Sequence, residues 1–97
     1  MKKKKSLDLR TKRKILSILK KRGVVKAGIF GSYATGEATK KSDIDILIQP
    51  PKGTGFGFVG IQMELEEKLN RKVDLLSYRA IHPLLKKRII GEEIRII

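Results

Sequence analysis

The sequence of 97 residues contains no cysteine, no tryptophan and one histidine, His82. Without thiols, disulfides and thiolate metal sites are excluded. A single imidazole excludes a histidine-rich zinc site as well. The five aromatic residues, three Phe and two Tyr, all lie away from the basic N-terminal stretch, so base stacking of the single-strand type finds no support. No apolar run approaches the ~20 residues that a membrane span needs. The opening MKKKK is not followed by an apolar segment of the secretory kind. The expectation is a soluble, cytoplasmic chain with no membrane engagement. Acids are also scarce, ten against 23 basic residues, for a formal net charge of +13.

That charge is unevenly placed. Twelve of the bases fall within residues 1–26 against one acid, Asp8, and the rest of the chain carries eleven bases against nine acids. The body is nearly balanced, and the basicity belongs to an arm and a first helix. Two readings stay open: attraction to nucleic acid or an acidic partner surface, or a solvated lysine-rich face with a frayed tail. Residues 1–6 are expected to form a flexible basic tail and residues 7–97 a single domain.

Asp8 suits the cap of a helix running to about Arg22, with Ile15, Leu16, Ile18 and Leu19 as its apolar stripe and Gly23 just past its end. Residues 24–30 are apolar and partly β-branched, as in a strand, and Gly31-Ser32 ends it with Ser32 starting a brief helical turn. A second strand is predicted over 43–48. Residues 49–57 hold two prolines and three glycines, a loop signature. Phe58, Ile61, Leu65 and Leu69 have helical spacing up to about Asn70, and 73–77 reads as a third strand. Pro83 suits the first turn of a last helix, with Leu84, Leu85 and Ile89 inward and Gly91 stopping it. Ile94, Ile96 and Ile97 suggest a short terminal strand. Strands alternating with helices indicate an α/β (α+β) class, helices packed on a small mixed sheet.

The second strand raises a chemical question, because its apolar run starts with two acids, Asp43 and Asp45. Residues two apart on a strand share a face, so both carboxylates project together. Asp74 opens the third strand as its lone acid. If the two strands are neighbours, three carboxylates converge, repel and destabilise the fold unless a cation is present. Mg²⁺ prefers carboxylate oxygens together with substrate phosphates, and two such ions ~3.5–4 Å apart serve in-line phosphoryl and nucleotidyl transfer. Gly31 and Ser32 would form the phosphate seat: glycine permits close backbone approach, serine adds a hydroxyl, and the turn aims N–H groups at the anion.

On these residues the chain resembles a known family. "GSYATGEATKKSDIDILI" with the later "RKVDLLS" is similar to the nucleotidyltransferase core of the DNA polymerase β superfamily, and within it to the minimal nucleotidyltransferases (MNT), often the antitoxins of HEPN–MNT toxin–antitoxin pairs. The resemblance implies phosphate binding by Gly31 and Ser32. It implies that Asp43, Asp45 and Asp74 are the metal-binding and catalytic carboxylates, with Asp74 also helping to deprotonate the attacking hydroxyl. It further implies two Mg²⁺ ions, ATP as substrate and a tyrosine of a HEPN toxin as acceptor. One departure stands out: the family's Gly-Ser-x-Ala-Arg-Gly run has its arginine where this chain has Thr35, which leaves Lys40 and Lys41 as the nearby charges.

The expected activity is therefore Mg²⁺-dependent transfer of AMP from ATP to a partner's hydroxyl. The alternatives are a catalytically weak MNT that neutralises its toxin by binding alone, and a nucleic-acid-binding protein using its basic arm, which would leave the aspartates unexplained. Elsewhere plain roles are expected. His82 caps a helix or lies at the surface, and Tyr33 packs in the core or fills the turn. Arg79 and Glu37 face solvent, and Glu64, Glu66 and Glu67 form a wet helix side.

Overall fold

The computed structural model describes residues 7–39, 42–55 and 57–97. The expected tail over 1–6, and Lys40 and Lys41, lie outside them. The chain runs α1 (Leu9–Lys21), β1 (Ala27–Phe30), α2 (Ser32–Thr35), β2 (Ile44–Ile48), α3 (Gly57–Leu69), β3 (Val73–Ser77), a 3₁₀ turn (Tyr78–Ala80), α4 (Pro83–Glu92) and β4 (Ile94–Arg95). The sheet order is β3-β2-β1-β4, with β2 parallel to β3 and β1 antiparallel to both β2 and β4. A parallel pair needs a crossover, and α3 supplies it. The small mixed sheet with packed helices matches the expected class.

Local chemistry sets the helix ends. The Asp8 carboxylate accepts from Thr11 N at 2.7 Å, which caps α1 and holds this acid below the usual carboxylate range. Gly23, with φ +80°, lets the chain leave α1. At α4, His82 Nδ1 accepts from Leu84 N at 3.1 Å with Pro83 in the first turn, the expected capping role.

The core lies between one sheet face and the helices α1 and α3. Ile15, Leu19, Ile61 and Leu65 from the helices meet Ile44, Ile46, Ile48 and Val73 from the sheet, all essentially inaccessible to solvent. At about 25 cal/mol per Å² of apolar surface removed from water, this cluster is the main stabilising element of so small a chain. Arg22 and Lys21 at the C-terminal end of α1 reach Glu64 of α3 at 2.7 and 3.2 Å. On the outer edge of β3, Gln62 Nε2 donates to Val73 O at 3.0 Å and Val73 N donates to Glu66 Oε2 at 3.0 Å.

Four expectations change. The first strand begins at Ala27, with Val25 turned 73 % out to solvent. Glu64 and Glu66 are tied in place and only Glu67 is exposed, so that helix side is half bonded rather than wholly wet. Gly91 does not stop the last helix, which continues to Glu92 and ends where Glu93 turns extended. Leu84 and Leu85 are 86 % and 47 % exposed rather than inward, since α4 buries no residue and only Ile89 and Glu92 are partly covered. Among the described residues no helix is long and apolar enough to cross a membrane.

Candidate active site

Strand alternation sorts β2 into two faces. Ile44, Ile46 and Ile48 enter the core, so Asp45 and Leu47 face the opposite side. Register then brings the carboxylates together: Asp45 stands directly beside Asp74 in the parallel β2–β3 pair, and Phe30 lies beside Asp45 on β1. Asp43 comes one residue before β2, where the expected strand would have included it, and its carboxylate lies 3.7 Å from Lys72 Nζ. Asp74 is exposed and Asp45 half-buried.

The electrostatics of the pair follow from this placement. Burial raises the Asp45 pKa first. A hydrogen bond shared with Asp74, then the charges of Asp74 and Asp43, raise it further, to about 6. A carboxylate held this reluctantly invites either a proton or a cation.

Gly31 sits against Asp45. Its φ of +70° with ψ of −150° is a conformation that L side chains avoid, and a Cβ at this position would collide with the Asp45 carboxylate. The glycine is thus required both by its backbone angles and by close approach. Ser32 opens α2, whose single turn closes through Ala34 N and Thr35 N donating to Gly31 O at 3.0 and 3.1 Å. Thr35 Oγ1 lies 2.9 Å from Glu37 Oε1 and 3.4 Å from Ser32 O, so its hydroxyl is engaged within the turn. Tyr33 is buried, as expected, and Glu37 exposed.

Sequence reasoning missed Arg71. This half-buried guanidinium follows Asn70, which adopts a left-handed φ of 52°, and it donates to the Tyr33 hydroxyl and to Ser42 O at 2.7 Å. It also lies 5.1 Å from the Tyr33 ring centroid. One side chain thereby ties the turn after the seat to the residue before Asp43. Nothing in local pattern marks it, because its partners are 38 and 29 residues away.

The other end of this face is closed. The Tyr78 hydroxyl donates to the Glu93 carboxylate, Lys26 Nζ sits 4.4 Å from the Tyr78 ring centroid, and a Cβ on Gly28 would strike Glu93. Burial, then the Glu93 bond, push the Tyr78 pKa up. The end bearing Asp45 and Asp74 is open, with Asp74 exposed.

The donors suit a hard divalent ion: carboxylates alone, two in contact and a third beside them, with no sulfur or imidazole. Among the described residues no three such groups are already set at metal-holding distances, because Asp43 leans toward Lys72. Asp45 and Asp74 form the converged pair, and Asp43 is the adjacent candidate.

Residues 13–97 match the profile of the family described as Polymerase beta, Nucleotidyltransferase. A Methanocaldococcus jannaschii protein provisionally named a protein adenylyltransferase is 49 % identical over 87 residues, spanning 89 % of this chain and 94 % of its own. A solved structure provisionally described as a minimal nucleotidyltransferase superposes with a TM-score of 0.77 at 33 % identity, covering 93 % of this chain and 97 % of the other. A further structure, of a tri-AMPylated Shewanella oneidensis HEPN toxin in complex with its MNT antitoxin, gives a TM-score of 0.68 at 20 % identity over 89 % of this chain and 68 % of that one; at that identity the likeness is one of fold. A profile match across the sheet, the glycine seat and the carboxylate pair reflects descent as well as shape, and the chain belongs to the polymerase β nucleotidyltransferase family.

Proposed function

We propose that this chain is an Mg²⁺-dependent protein adenylyltransferase that moves AMP from ATP to a tyrosine hydroxyl of a HEPN-type toxin, and so acts as its antitoxin. The observation that carries the reading is the register of Asp45 beside Asp74, with Gly31 pressed against Asp45. The adenylyltransferase name of the relative and the AMPylated toxin in the fold neighbour support the choice of nucleotide and acceptor.

In this scheme Gly31 and Ser32 hold the β,γ-phosphates, and Asp43, Asp45 and Asp74 hold Mg²⁺, which when bound neutralises the phosphate charge. Asp74, exposed at the open end of the face, takes the proton of the acceptor hydroxyl. The acceptor oxygen then bonds to the α-phosphorus, the bond from that phosphorus to the bridging oxygen breaks, and pyrophosphate leaves. Positioning and electrostatics provide most of the acceleration. In this scheme the partner supplies the surface that grips the acceptor.

The test is label transfer from α-labelled ATP with Mg²⁺ to a purified HEPN protein. Label on a partner tyrosine that Asp45→Asn and Asp74→Asn reduce at least a hundredfold is the expected result. Efficient addition to free RNA or DNA ends with no protein present would sink the reading in favour of a polymerase-like enzyme.

A second reading, neutralisation by binding alone, is favoured by Thr35, whose hydroxyl bonds within its own turn and offers no cation to a phosphate. Full inhibition of the toxin by the Asp45→Asn chain, with no label in the wild type, would establish it.

A further inference from the structure

A bound triphosphate needs positive charge, and the turn that would seat it has none. From Gly31 to Thr39 the sequence has no lysine or arginine and carries one acid, Glu37. The Thr35 hydroxyl is taken up by Glu37 and Ser32 O. Lys40 and Lys41 follow in sequence but lie outside the described residues. Among the described residues the charge must come from another element that reaches the same place.

The helix α4 does so. A cavity of about 220 Å³ is lined by Phe30, Gly31, Leu85, Arg88, Ile89 and Glu92. Phe30 is the register partner of Asp45, so this cavity lies on the carboxylate face. It is smaller than the ~300–1,000 Å³ of pockets that take whole organic ligands, which suits a phosphate group rather than a nucleoside. Among the described residues, Arg88 is its one cation. The Arg88 Nε lies 3.1 Å from Glu92 Oε1, one turn along the helix, and its side chain is 76 % exposed. That bond uses one of five guanidinium donors and orients the fork, leaving the terminal N–H groups for phosphate oxygens. It also covers Glu92, the only carboxylate among the described lining residues.

We propose that Arg88 binds the β- and γ-phosphates of the nucleotide, supplying from α4 the charge that the seat turn lacks. The inference rests on the nucleotidyl-transfer reading above. The plain alternative is an exposed i,i+4 ion pair worth a few tenths of a kcal/mol to the helix, which would leave nucleotide affinity untouched.

The two differ in how affinity depends on phosphate count. ATP and AMP are titrated separately into the purified chain at fixed Mg²⁺ and salt, using wild type, Arg88→Ala and Arg88→Lys. Loss of a charge-assisted bidentate contact should weaken ATP roughly tenfold or more in Arg88→Ala. AMP binding and the nucleotide-free thermal midpoint should stay unchanged, and Arg88→Lys should recover part of the loss. Arg88→Ala binding ATP like wild type, or losing ATP and AMP alike, would overturn the assignment while leaving the transfer reading intact. A wild-type chain that binds no ATP would overturn both.

Discussion

The two faces of the sheet are built from the same strands to opposite ends. On the helix-covered face Ile44, Ile46 and Ile48 are fully enclosed within the apolar core. On the other face, one residue along the same strand, Asp45 is pressed against Asp74 and held partly out of water. The first face lowers the free energy of the fold, and the second raises it by crowding like charges. A short strand can do both because side chains alternate, so chemistry on one side need not disturb packing on the other. The contrast extends to the helices: α1 and α3 bury residues in the core, while α4, on the carboxylate side, buries none.

Ile46→Ala should break this division most severely. Removing a fully buried branched side chain costs about 2–5 kcal/mol, a large share of the ~5–15 kcal/mol available to a small domain. Chemical denaturation should show the loss, with nucleotide affinity per folded molecule preserved.

Substitution on the opposite face should act with the reverse sign. The Asp45 pKa rises from about 3.8 unfolded to about 6 folded, so the folded state holds more protons between those values and stability falls as pH rises through them. Asp45→Asn removes that penalty. Its thermal midpoint should exceed the wild type's above pH 6, and the difference should vanish below pH 4. A variant that is less stable than wild type at pH 8 would show that Asp45 is not strained by its neighbours. The smallest effect is expected from Leu84→Ser on α4. An 86 %-exposed leucine has little burial to lose, so its denaturation midpoint should correspond to a change within about 0.5 kcal/mol.

Legibility in the sequence followed the same division. Residues whose role depends on near neighbours could be placed from pattern: the Asp8 cap, the periodicity of α3 and the alternation that pairs apolar with acidic positions in β2. The adjacency of Asp45 and Asp74 needed only the assumption that two strands are neighbours, because each strand's apolar run opens on acids: Asp43 and Asp45 on one, Asp74 on the other. Arg71 and Arg88 could not be read this way. One acts on groups 29 and 38 residues distant, and the other gains its setting from a helix whose leucines suggest a buried face that the fold never covers. The inward orientation of Leu84 and Leu85 failed for that reason: apolar spacing reports the capacity to be buried, and among the described residues no element buries α4.

The bonds from Gln62 and Glu66 to Val73 bear on how the chain behaves among copies of itself. β3 ends the sheet, and an end strand with free amide and carbonyl groups is a template on which another chain can zip. Here the crossover helix that made the parallel pairing possible returns a side-chain amide and a carboxylate to that rim, occupying the outward N–H and C=O of Val73. At the opposite rim β4 is only two residues long, too short to guide an incoming strand. The arrangement that delivers Asp74 to its place therefore also guards against runaway lengthening of the sheet, and Gln62→Ala with Glu66→Ala would open the guarded rim.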